Sequence, residues 1–180
     1  MFVNKMDTKT ALLIGRFQPL HSGHIKVIEE IAKDFNEIII GIGSSQESHT
    51  QKNPFTAGER LTMLKNSLDS LKNRNNNFKN FNYLIIPIPD VNNNSIWVSH
   101  VISLTPEFDV VYTRNKLVTR LFKEAGFVVR RQGLYDRGRH EGTEIRRKIF
   151  EGEGWEELVP GEAAEVIRKI GGVERIRELS

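Results

Sequence analysis

Residues 11–24 read Ala11-Leu12-Leu13-Ile14-Gly15-Arg16-Phe17-Gln18-Pro19-Leu20-His21-Ser22-Gly23-His24, and this stretch decides the fold. The four apolar residues at its start predict a buried strand. Gly15 and Pro19 end it, because both residue types punctuate regular structure. His21-Ser22-Gly23-His24 then opens a run with apolar residues at Ile25, Ile28, Ile31, Ala32 and Phe35, which is helical spacing. Strand, sharp exit and helix form the start of a βα unit. The unit gathers two imidazoles, one guanidinium and the free amides of a helix N-terminus at one strand end, an arrangement suited to phosphate charge.

The same alternation continues along the chain. Glu37–Gly43 is a continuous β-branched run, typical of a strand buried on both faces. Thr56-Ala57-Gly58-Glu59 is a capping box ahead of a stripe at Leu61, Leu64, Leu68 and Leu71. Tyr83–Ile88, Phe108–Tyr112 and Phe127–Arg130 read as further strands, and Ser95–Leu104 and Lys116–Ala125 as helices. Thr143–Phe150, Gly161–Ile170 and a last turn or two over Val173–Leu179 are expected to be helical. Asn73–Asn82 reads as a surface loop, and Asn92-Asn93-Asn94 as a candidate for another. This order predicts an α/β fold: a Rossmann-like, doubly wound parallel sheet with helices on both faces and a helical C-terminal segment. Ligands in such sheets bind beyond the carboxyl ends of the strands at the switch point, which is where Gly15–His24 falls.

Composition narrows the class. A chain of 180 residues, 38% hydrophobic and 27% charged, describes a globular protein able to bury a core. No apolar run approaches the roughly 20 residues of a membrane span. Residues 1–9 lack the apolar centre of a signal peptide and are expected to be a flexible extension, leaving 10–180 as a single domain. The absence of cysteine rules out disulfides and thiolate metal sites and fits a reducing, cytoplasmic setting. The net charge is only +3 with basic and acidic residues interleaved, which argues against a nucleic-acid partner. The segment from Arg130-Arg131 to Arg146-Arg147-Lys148 is locally basic, and it reads either as a solvated face or as the rim of a phosphate site.

Several residue types at the predicted strand ends carry chemistry. His21 and His24 can donate to phosphate oxygens, with Gly23 allowing close approach. Zinc binding is the weaker alternative, since no Asp, Glu or Cys stands nearby to complete a site. Arg16 has the fork geometry for phosphate. Thr143 is placed to cap a helix, with Arg146 on its first turn. There is no Walker-type phosphate loop and no Ser-His-Asp or Cys nucleophile.

The run from Gly15 to His24 resembles the nucleotidyltransferase superfamily that shares His-x-Gly-His with class I aminoacyl-tRNA synthetases. More closely, it resembles the archaeal-type nicotinamide-nucleotide adenylyltransferases. Other segments agree: Gly41-Ile42-Gly43-Ser44-Ser45-Gln46, Asn53-Pro54-Phe55-Thr56-Ala57-Gly58-Glu59-Arg60, Asn94-Ser95-Ile96-Trp97-Val98, Gly142-Thr143-Glu144-Ile145-Arg146-Arg147 and Gly172-Val173-Glu174-Arg175. The resemblance implies transfer of AMP from ATP to NMN, giving NAD and pyrophosphate. It implies Arg16, His21, His24 and Arg146 as catalytic residues, Arg146 gripping the β- and γ-phosphates. Gly15, Phe17, Gly23, Thr143 and Arg114 are implied on ATP, and Ser44, Ser45, Lys52, Asp90, Asn94 and Trp97 on NMN. Trp97 would wall the nicotinamide ring, although a lone Trp also reads as core. Mg²⁺ is implied, held mainly by the ATP phosphates and water and not by a protein metal centre. A homo-oligomer, as in hexameric relatives, is also implied. Two positions depart from the family pattern: Glu141, where Ser or Thr is usual, and Thr113-Arg114, where small residues are usual. Another acceptor, such as FMN or phosphopantetheine, is the alternative within the superfamily. A non-catalytic nucleotide-binding domain is the alternative outside it.

Overall fold

The computed structural model describes residues 9–131 and 141–179. The expectation for the N-terminal extension therefore falls, apart from Lys9, outside the described residues. The chain runs β1 (Thr10–Gly15), α1 (Ser22–Ile31), β2 (Glu37–Ile42), α2 (Ala57–Arg74), β3 (Asn82–Pro87), α3 (Trp97–Leu104), β4 (Val110–Thr113), α4 (Lys116–Glu124), β5 (Val128–Arg131), α5 (Gly142–Glu151), α6 (Gly161–Lys169) and α7 (Gly172–Glu178). The five strands form one parallel sheet in the order β3-β2-β1-β4-β5. The order reverses beside β1, so the crevice between β1 and β4 is the switch point of a doubly wound sheet.

Two apolar layers cover the sheet, as its period of two requires. Ala11 and Leu13 of β1 face one layer with Ile38, Ile40 and Val110, packed under α1, α2, α5, α6 and α7 through Ile28, Leu64, Ile145, Ile167 and Ile176. Leu12, Ile39 and Val111 face the other, under α3 and α4 through Val101 and Phe122. Ile38, Ile39 and Ile40 are all at 0% exposure, which explains the unbroken β-branched run of β2.

The Asn-rich stretch departs from its expectation. α2 continues to Arg74, a 3-10 turn covers Asn76–Phe78, and β3 already starts at Asn82. Phe78 and Phe81 are buried against each other edge to face and pin this segment to the core, which the polar composition around them conceals. Asn92-Asn93-Asn94 does form a turn. Asn92 adopts a left-handed backbone, and the Asn93 Oδ1 accepts from both Ser95 N (3.1 Å) and Ser95 Oγ (2.7 Å), so α3 begins two residues late, at Trp97. α7 is clamped to α2 by Arg175, whose Nη1 and Nη2 donate to Glu59 at 2.7 and 2.9 Å. Glu59 in turn completes the Thr56 capping box at 2.9 and 3.2 Å.

Candidate active site

The loops that leave β1 and β2 meet at the switch point, and both are strained. Among the described residues, four non-glycine residues have positive φ, including Phe17 (52°) just after β1 and Ser44 (47°) just after β2. Such conformations cost about 1–3 kcal/mol each and persist only where the surroundings over-determine them. At Phe17 the ring folds back beneath the strand end. A Cβ at Gly15 would lie 2.9 Å from its Cζ, so position 15 has no room for a side chain.

Gln18 is buried and clamped. Its Nε2 donates to Phe55 O at 2.8 Å and its Oε1 accepts from Phe55 N at 2.9 Å. Its own carbonyl accepts from Arg146 Nη1 at 2.6 Å. That carbonyl would sit 2.7 Å from any Cβ at Gly142, so α5 approaches the β1 loop as closely as it does only because residue 142 is glycine.

His21 and His24 stack at the start of α1, ring centroids 3.5 Å apart, with Phe17 tilted against His24 at 4.7 Å. The His21 backbone N donates to His24 Nδ1 at 3.3 Å. Nδ1 is therefore the acceptor, and the neutral ring carries its proton on Nε2. Burial, then the neighbouring His21 and Arg114, hold the His24 imidazole well below its ordinary value of 6.5. In an unfolded chain His24 gains a proton as the pH falls through about 6.5, while the folded protein resists it. The stability that neutral His24 contributes is thus present above that pH and lost on acidification. Melting curves from about pH 8 to about pH 5 should show the wild-type Tm falling faster than that of His24→Ala. Parallel curves for the two proteins would remove the assignment.

Two cavities open on this arrangement. One, of about 290 Å³, is lined by Gly15, Arg16, Phe17, His24, Ser44, Asp90, Trp97, Thr113 and Arg114. The other, of about 610 Å³, is lined by Arg16, Lys52, Pro54, Thr143 and Arg146 among others. Arg16 belongs to both. Asp90 is held by Gln46, whose Oε1 accepts from Asp90 N at 2.9 Å. Trp97 is half-buried and packs edge-on to Phe122 at 5.7 Å, so core packing and cavity lining are both true of it. Lys52 stands with Arg146 and apart from Asp90 and Trp97. Ser45 and Asn94 lie outside the lining of both cavities. Ser45 N bonds to Ile88 O at 3.1 Å, and the exposed Asn94 accepts from Trp97 N at 3.4 Å. Gly23 is buried in the first turn of α1.

At α5 the sequence reading needs correcting. The cap position is Glu141, not Thr143, and its side chain makes no capping bond. Thr143 lies inside the first turn, where its Oγ1 accepts from Arg146 Nη2 at 3.3 Å. Arg146 begins the second turn and reaches back over the first. The approach of Gly142 to Gln18 starts the helix earlier than the Thr signal indicated. Burial, then the like charge of Arg16, lower the Arg146 pKa from its ordinary value.

The locally basic segment divides. Arg146 and Arg147 both line the larger cavity, but Arg147 is paired with Glu144, Glu151 and Glu153, while Arg130 bonds Asp34 and the Tyr112 hydroxyl at 3.1 and 3.2 Å. Residues 132–140 of the segment lie outside the described residues. Gln18 and Arg60 went unassigned in the sequence reading. Arg60 had a signal: it falls on the buried stripe of α2 with Leu64, Leu68 and Leu71, where a charge is out of place.

A doubly wound parallel sheet with a stacked His-x-Gly-His pair, two arginines and two adjoining cavities at its switch point defines a nucleotide-binding enzyme of the nucleotidyltransferase class. Residues 12–148 match the cytidylyltransferase-like family. The chain is 51% identical over 170 residues to the nicotinamide-nucleotide adenylyltransferase of Archaeoglobus fulgidus, covering 94% of this chain and 97% of that protein. It is 53% identical to that of Methanosarcina mazei, covering 94% of each. Among solved structures, a bifunctional NMN adenylyltransferase/ADP ribose pyrophosphatase from Francisella tularensis superposes with a TM-score of 0.73 at 21% identity. That match covers 96% of this chain, which spans about half, 52%, of that protein. A Plasmodium falciparum nicotinic acid mononucleotide adenylyltransferase superposes at 0.60 with 10% identity, over 93% of this chain and 98% of that one. The two superpositions concern the fold. The chain belongs to the nicotinamide-nucleotide adenylyltransferase family, within the cytidylyltransferase-like group.

Proposed function

We infer that the chain transfers the adenylyl group of ATP to NMN, forming NAD and releasing pyrophosphate, and that the two cavities joined at Arg16 divide the work. That junction is the observation that carries the assignment of roles. The reaction is attack by the NMN phosphate on the α-phosphorus of ATP. It needs two anions held in line and a stabilised leaving group, and no covalent nucleophile.

The smaller cavity receives NMN. Trp97 walls the flat pyridinium, Asp90 accepts from the carboxamide, and Ser44 bonds the ribose or phosphate. Arg16 stands at the reacting phosphorus. His24, with Nδ1 already occupied, offers its Nε2–H to the α-phosphate, and His21 supports the same phosphate. Lys52, Thr143 and Arg146 in the larger cavity receive the leaving pyrophosphate, together with the first-turn amides of α5 that no side chain caps. Gly15, Phe17 and Gly23 let the nucleotide approach the backbone, and Arg114 adds positive charge beside it.

Of the residues lining the smaller cavity, Asp90 is the carboxylate, and it is engaged by Gln46. Among the described residues no group of three or more His, Cys, Asp or Glu is placed to hold a metal ion. This donor set suits Mg²⁺ carried on the ATP phosphates and water, where the ion would neutralise charge on the triphosphate. Among the described residues no helix is long and apolar enough to cross a membrane. We propose residues 10–180 as one nucleotidyltransferase domain that assembles as a homo-oligomer.

The test is pyrophosphate release from Mg²⁺–ATP with NMN, nicotinic acid mononucleotide, FMN or phosphopantetheine offered separately. Release with NMN and recovery of NAD is the expected result. Release with none of the four would turn the chain into a nucleotide-binding protein. Trp97→Ala should raise the KM for NMN about 10-fold with little change for ATP, the scale of losing an aromatic stacking contact and its buried area. An unchanged KM for NMN would return Trp97 to the core.

A further inference from the structure

Arg60, the fourth residue of α2, has no solvent exposure. Its hydrogen-bond partners among the described residues are all main-chain carbonyls. Nε donates to Thr56 O at 3.2 Å, Nη1 to Arg16 O and Gly43 O at 2.9 Å each, and Nη2 to Ser44 O at 3.1 Å and Glu47 O at 3.4 Å. A guanidinium has five N–H bonds, and here all five are spent on backbone. Four of the five acceptors lie in the two loops that leave β1 and β2.

Those acceptors coincide with the strained points. Arg16 O belongs to the peptide that leads into Phe17, and Ser44 O to the other left-handed residue of the site. Arg60 thus ties together, from beneath, the two loops whose upper surfaces carry Arg16 and Ser44 into the cavity. An apolar side chain of similar volume could fill the space, but it would take away the donors that Arg60 gives to the four loop carbonyls. Lysine would keep the charge and lose the planar fork that spans both loops.

We propose that Arg60 is a positioning residue for adenylyl transfer: it holds the loops after β1 and β2 in the strained geometry that presents Arg16 and Ser44 to the phosphates. The proposal rests on the site assignment above. Arg60 touches no substrate itself. It acts through the backbone of residues that do, and misplacement by about 1 Å is enough to lower turnover about 100-fold.

The experiment compares wild type, Arg60→Lys and Arg60→Ala by thermal melting, circular dichroism and steady-state kinetics, with guanidinium or methylammonium added. Arg60→Lys should fold and lose about 100-fold in kcat, with a smaller change in KM for either substrate. Arg60→Ala should regain activity with millimolar guanidinium, which restores the planar donor, and not with methylammonium, which restores only charge. Wild-type kinetics in Arg60→Lys would overturn the proposal. So would activity lost by both variants only in proportion to the unfolded fraction, or failure of both to fold, since Arg60 would then serve the fold alone. Wild type is the separate control: if it releases no pyrophosphate, the assigned reaction fails first and the proposal falls with it.

Discussion

His24→Ala lowers kcat by about 10²–10³-fold while the KM for ATP changes little. This is the loss expected on removing one preorganised donor from the point where charge develops. The sequence places His24 only as the last residue of His-x-Gly-His. The structure shows why its donor is ready before substrate arrives. Nδ1 is occupied by the His21 amide at 3.3 Å, which leaves the proton on Nε2. The ring is fixed between His21 and Phe17. Burial and the neighbouring positive groups hold its pKa well below the ordinary value, so in the free protein the ring is neutral at pH 7 with its Nε2–H available to donate. In the proposed assignment ground-state binding of ATP falls mainly to Arg16, Lys52 and Arg146, so the effect is expected on kcat. Equal losses of kcat and of folded protein, read by kinetics and circular dichroism on one preparation, would make His24 structural.

Arg146→Ala is expected to be at least as damaging, with kcat/KM down about 10³-fold, the lower end of what a transition-state arginine contributes to phosphoryl chemistry. Its Nη1 bond to Gln18 O and Nη2 bond to Thr143 Oγ1 aim the guanidinium across the first turn of α5, over the larger cavity. Charge on the leaving pyrophosphate grows as the α-phosphorus bond breaks, so the loss should appear in single-turnover rates and not only in binding. Arg146→Lys should recover part of the rate, since it keeps the charge and loses the fork. If Arg146→Ala raised only the KM for NMN, the larger cavity would not be the leaving-group site.

How much of this was legible beforehand follows from the distances in sequence over which each feature is made. The strands, helices and parallel order were readable because each element announces itself locally: the β-branched run of β2, the 3.6-residue stripe of α1, the Thr56–Glu59 box that starts α2. The His pair and Arg16 were readable because they sit within nine residues of one another on one βα unit. Composition misled where a few aromatic anchors outweighed many polar neighbours, as at Phe78 and Phe81.

The remaining features depend on residues far apart in the chain. That Thr143 is not the cap of α5 follows from the contact of Gly142 with Gln18, residues separated by more than a hundred positions. That Lys52 stands with Arg146, while Asp90 and Trp97 line the other cavity, follows from which strand ends the crossovers bring together. By itself, the sequence determined the fold class, and it placed the candidate site at the end of β1 with the charged groups proposed for it. Local propensity, periodicity and turn chemistry act within one or two turns of chain and leave their mark on the residues themselves. Only the tertiary structure decided the division into two cavities and the burial of Arg60 beneath two strained loops. Each of these is a hydrogen bond or a contact whose partners become neighbours only once the sheet has closed.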